Sequence, residues 1–174
     1  MEPALSAPHR RYVFVDNGIG SGVFNFVLNG AIAYLMFRSL EDVPLWGQQS
    51  IAGDTLGTLF FLPFFTCLIV TRLTQGQLRS GKLPPTMWRR ESHPTLGRLP
   101  RGTFLRSIVL GVGAVLVAGP LSVWALGAVG IEHMSFWGFV VFKATFAAFL
   151  AVIFTPLVAL CALGDGQGGA TSKA

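Results

Sequence analysis

Four long apolar runs, each of bilayer-crossing length, constrain this chain more than anything else in it. They lie near 19–37, 51–73, 107–129 and 136–163. A hydrocarbon core of about 30 Å takes roughly 20 residues of helix to cross, and every run is near that length. Fully buried helices of a soluble protein would also read as apolar runs. They would need a polar exterior to cover them, and only 12% of the residues are charged, where soluble domains carry about a quarter. The expected fold is therefore an all-α membrane protein, a four-helix transmembrane bundle made of two helical hairpins. The transmembrane domain covers 19–163, preceded by an N-terminal segment 1–18 and followed by a glycine-rich polar tail, 164–174, that reads as disordered.

The charges set an orientation. Arg10 and Arg11 precede the first span, eight basic residues run from Arg72 at the end of the second span to Arg106 before the third, and Lys173 follows the fourth. The opposite side holds only Arg38. Basic loops stay cytoplasmic, so both termini and the loop 74–103 are expected inside. Arg79, Lys82, Arg89, Arg90, Arg98 and Arg101 of that loop are expected to lie on the anionic inner leaflet, each contributing roughly 1 kcal/mol of attraction. A cytoplasmic protein docking there is the alternative. Nucleic acid is not expected, because no binding motif accompanies the charge. Trp46 and Trp137 open the second and fourth spans, where amphipathic rings favour the interface.

The two short loops on the other side resemble each other. One reads EDVPLWG from Glu41 to Gly47 and the other EHMSFWG from Glu132 to Gly138. Each leads into a span of the same direction. This is the pattern of a duplicated hairpin in parallel orientation, although an interfacial Trp and a turn Gly produce part of it without duplication.

Polar residues inside hydrocarbon need a reason. In the first span Ser21, Asn25, Asn29 and Ala33 recur at every fourth position and share one face. Asp54, Thr58 and Thr66 share a face of the second span. Ala114, Ala118 and Ser122 make a small-residue stripe on the third, the kind that lets helices approach closely. On the fourth, Lys143 heads the stripe Ala147, Ala151, Thr155, while Phe142, Phe146 and Phe149 fall mostly elsewhere and read as lipid-facing. Asn25, Asn29, Asp54, Thr58 and Lys143 form a candidate intramembrane polar cluster. Two placements of Lys143 are open: pairing with Asp54 in the bundle, or snorkelling to the interface near Glu132 or Glu41.

Catalytic chemistry has no signature here. His9, His93 and His133 are far apart and outside the spans, with no metal-ligand spacing. No serine or cysteine stands beside a base, and no phosphate-cradling glycine loop occurs. No metal, cofactor or catalytic residue is expected. Cys67 and Cys161 read as small buried hydrophobes. The expected function is that of a non-enzymatic accessory subunit or scaffold in a bacterial inner membrane, with a membrane-protein partner or a parallel homo-oligomer. The alternative is a small oligomeric transporter or channel working through the Asn/Asp/Lys cluster.

Overall fold

A computed structural model describes residues 5–84, 86 and 93–165. Four helices in it are long and apolar enough to span a membrane: α1 (Ala7–Phe37), α2 (Ile51–Arg79), α3 (Thr103–Ala128) and α4 (Phe136–Asp165). Large apolar side chains cover their outer surface. Phe24, Val27, Leu116, Val117 and Trp124 are each more than 60% exposed, a surface that hydrocarbon covers and water does not. The chain is thus an integral membrane protein.

The helices run past the apolar stretches into polar flanks. The first begins at Ala7, well ahead of 19, because its backbone bonds continue through a wider π-helical segment, Arg11–Ile19. There the Asn17 side-chain amide donates to the Tyr12 carbonyl at 2.9 Å, helping to satisfy a stretch whose regular ladder is disturbed. Gly164 and Asp165, expected in the tail, close the last turn of α4. Residues 166–174 of that tail lie outside the described residues, as do Arg89 and Arg90.

Two short strands, β1 (Asp42–Pro44) and β2 (His133–Ser135), join the loops at one end, here the sheet end. They pair antiparallel as Asp42 with Ser135, Val43 with Met134 and Pro44 with His133. The register is symmetric about Val43 and Met134. So are the flanking bonds: Leu45 N donates to Glu132 O at 2.8 Å, and Phe136 N to Glu41 O at 2.9 Å. The two look-alike loops are thus related by a pseudo-two-fold axis through the ladder.

Helix packing obeys the same axis. The extensive interfaces are α1 on α4, α2 on α3, and α2 on α4, and helices joined across the sheet end scarcely touch. The central helices bury matching positions at one constant spacing, as in Ile51 and Phe139, Ala52 and Val140, Leu59 and Ala147, Leu62 and Leu150, Val70 and Val158. The outer helices approach them through glycines, which lack the Cβ that would hold the backbones apart. A Cβ on Gly22 would lie 2.7 Å from Val152 Cγ2, and one on Gly111 would lie 2.9 Å from the Phe60 carbonyl. A Cβ on Gly30 would meet Ala144 Cβ at 3.4 Å, and one on Gly119 would meet Leu56 Cδ2 at 2.8 Å. Gly22 and Gly30 on α1 therefore correspond to Gly111 and Gly119 on α3. Three helices continue through prolines, Pro63 in α2, Pro120 in α3 and Pro156 in α4.

Candidate functional site: a polar-floored groove between α1 and α2

Because α1 and α2 are held apart by α4, a groove runs between them. Its volume is about 690 Å³. Phe24 and Leu28 on one wall and Phe61 and Phe65 on the other are apolar, and Lys143 and Thr155 of α4 reach the floor. The groove is tied at both ends. At the sheet end the Gln49 amide donates to Met36 O at 3.3 Å. At the opposite end the Tyr12 and Thr74 hydroxyls share a hydrogen bond of 2.9 Å. Beyond them, His9, only 2% exposed, takes a hydrogen bond from Ser6 Oγ at 2.6 Å and donates to Pro84 O at 3.0 Å.

All five residues of the candidate polar cluster line this groove. The Lys143 ammonium donates to Asp54 Oδ1, so of the two placements the structure has the pair and not the snorkel. Local geometry explains it. Ser50 caps α2, its hydroxyl accepting from Gly53 N at 3.2 Å, which sets Asp54 in the first turn, where the helix dipole favours a carboxylate. Lys143 starts roughly 10 Å into α4. Side chains on a helix tilt toward its N-terminus, so its stem climbs back toward the sheet end and meets Asp54. Ala144 and Ala147, buried beside it, leave room for the stem. The side chains of Lys143 and Asp54 are 5% and 11% exposed.

Opposite them on α1, a ladder of side chains bonds up the helix. The Asn25 amide donates to Ser21 O at 2.9 Å, and the Asn29 amide to Asn25 O at 3.1 Å and Asn25 Oδ1 at 3.3 Å. These amide groups donate along α1 and not to Asp54. The polar groups crowd the half of the groove nearer the sheet. Phe61, Leu62, Phe65 and Ile69 line the far half, with Thr66 and Thr155 between them.

The pseudo-axis gives this groove a counterpart between α3 and α4, and there it is filled. Asn25 and Asn29 correspond to Ala114 and Ala118, and Asp54 and Thr58 to Phe142 and Phe146. The two rings stack, with centroids 5.8 Å apart and planes at 13°. Phe146 packs into the cluster that holds Ala114 and Ala118, and Phe142 into the one that holds Leu126. Both rings were expected toward lipid; they are half-buried instead, because they occupy what would be a second groove. Only Phe149, 63% exposed, faces outward as expected.

Of the basic loop, Arg79, Lys82, Arg98 and Arg101 are exposed at the end opposite the sheet. Arg106, counted from sequence among the basic residues between the second and third spans, is wholly buried within α3. Its guanidinium donates from Nη1 to Asp165 Oδ2 at 2.5 Å and from Nη2 to Thr71 Oγ1 at 3.1 Å. It thereby clasps α2, α3 and α4 together below the groove. The signal was faint: an arginine between Leu105 and Ser107 at the mouth of an apolar run, with one acid at the far end of another. Cys67 and Cys161 are both buried. No group of three or more metal-ligating side chains occurs among the described residues. Set against known proteins, the chain matches no family model, no curated protein and no solved structure.

Proposed function

We propose that this chain is a non-enzymatic protein of the bacterial inner membrane, an accessory subunit or scaffold whose working part is the groove between α1 and α2. The groove holds a ligand drawn sideways from the bilayer. One observation carries the reading: a cleft of about 690 Å³ with apolar walls and a few convergent polar groups. Those are the size and lining of a small-molecule site. Its pseudo-symmetric counterpart, on the same scaffold, is occupied by the half-buried rings of Phe142 and Phe146, so this helix packing does not by itself leave an open polar cleft. Ties at both ends leave the long lateral opening as the way in.

In this reading both termini and the basic loop face the cytoplasm. Arg79, Lys82, Arg98 and Arg101 rest on anionic lipid, and the sheet end faces outward. A photoreactive phenylalanine analogue placed at Phe65 tests the assignment in intact membranes. A bilayer-derived ligand leaves an adduct of lipid mass on that peptide. Crosslinking to a second polypeptide alone would replace the reading with a helix-docking one.

A small transporter is the second reading, favoured by the gathering of Asn25, Asn29, Asp54, Thr58 and Lys143 in one groove. It requires that Lys143→Leu abolish flux in proteoliposomes while the protein stays folded.

A further inference from the structure

The groove's dimensions and charges narrow what it can hold. It extends along α2 from Gly53 to Val70, about 26 Å at the helical rise. That length takes one extended hydrocarbon chain laid along α2, beside Phe61, Phe65 and Ile69.

Among the described residues the only charged side chains lining it are Asp54 and Lys143, and they neutralise each other. A ligand bearing a net charge would leave one charge uncompensated in a low-dielectric site, which is costly. The pair nonetheless keeps unused hydrogen-bonding capacity. Lys143 donates one of its three N–H groups, and neither Asp54 Oδ2 nor Asn29 Oδ1 accepts a bond from any described residue. Spare donors beside spare acceptors suit a hydroxyl, which does both. The apolar far half, with Phe61, Phe65 and Ile69, suits a tail.

We propose that the groove binds an uncharged, hydroxyl-bearing amphiphile, its head on Lys143, Asp54 and Asn29 and its apolar tail laid along Phe61 and Phe65. This rests on the reading of the groove as a ligand site.

The glycine pattern supplies the test. A Cβ on Gly57 meets nothing within 4 Å and Gly57 lines the groove, so the side chain of Gly57→Phe starts in open space and obstructs the slot. Gly113 on α3 is equally open and lies outside the groove, which makes Gly113→Phe the control. The full chain in nanodiscs is labelled with three diazirine probes of equal chain length: a monoacylglycerol, a lysophosphatidylglycerol and an alkyltrimethylammonium. Monoacylglycerol is expected to label α1 and α2 peptides most strongly. Labelling should drop at least tenfold in Gly57→Phe and hold in Gly113→Phe. Lys143→Met, which leaves the groove net negative, should shift preference to the ammonium probe. Asp54→Asn should shift it to the lysophospholipid. If a charged probe labels the wild-type groove best in a Gly57-dependent manner, the uncharged class is wrong and the ligand site stands. If no probe responds to Gly57→Phe, or to the smaller Gly57→Leu, the ligand site itself is wrong.

Discussion

Removing one member of the Lys143–Asp54 pair is expected to destabilise the protein far more than removing both. At a hydrogen-bonded separation of about 3 Å and an effective dielectric near 20, the attraction is roughly 5 kcal/mol. Most of that offsets the cost of taking the two charges out of water, so the pair as a whole is close to neutral. A single substitution removes the attraction and leaves the desolvated partner behind, a loss of about 3–5 kcal/mol. The lower end applies here, because Asp54 keeps 11% exposure and borders an open groove. Lys143→Met and Asp54→Asn should each cost about 3 kcal/mol, the double substitution about 1 kcal/mol, and the coupling should exceed about 3 kcal/mol. Reversible unfolding in mixed micelles, titrated with a denaturing detergent, reads all four corners of the cycle. Additive losses, with the double variant the least stable, would refute the buried pair and return Lys143 to the interface.

Two further outcomes follow from the packing. Gly111→Ala places a methyl 2.9 Å from the Phe60 carbonyl, a backbone atom that cannot step aside, and should cost about 1–3 kcal/mol. Gly113→Ala, two residues on in open space, should gain up to about 1 kcal/mol through helix propensity; the same unfolding assay compares them, and equal effects would dismiss the close α2–α3 approach. Arg106→Leu removes the clasp on Asp165 and Thr71 and should cost about 2–4 kcal/mol, with faster hydrogen exchange in the last turn of α4. Arg106→Lys keeps the charge but not the fork that reaches both partners, and should recover less than half of the loss.

How much of this was legible in the sequence depended on whether hydrocarbon and protein interior make different demands. Span number was legible because both environments require long apolar helices. The Lys143–Asp54 pair was only half legible: helical rise placed the two at compatible depths, but the interface near Glu132 or Glu41 met the same need of a charge in such a run. The facing of the phenylalanines was not legible, since a ring toward lipid and a ring toward the bundle are chemically alike. Phe142 and Phe146 were misread for that reason, while Phe149 was not. Arg106 was hidden by its neighbours, one more basic residue at the end of a basic loop. The internal symmetry showed in sequence only as EDVPLWG and EHMSFWG. Its better support, paired burial on α2 and α4 and paired glycines on α1 and α3, needs the helices superposed before it can be seen.

The symmetry also gives the molecule a history and a built-in control. If both halves descend from one ancestral hairpin, a dimer of that ancestor had two equivalent clefts, and the present chain has kept one and plugged the other. Fusion freed the copies to diverge, one toward recognition and the other toward rigidity. The route is retraceable: Phe142→Asp and Phe146→Thr with Ala114→Asn and Ala118→Asn would carve a second cleft from the plugged one, and Thr55→Lys would supply the missing cation. A protein with two sites made this way would tell a ligand's own preference apart from the accidents of a single pocket.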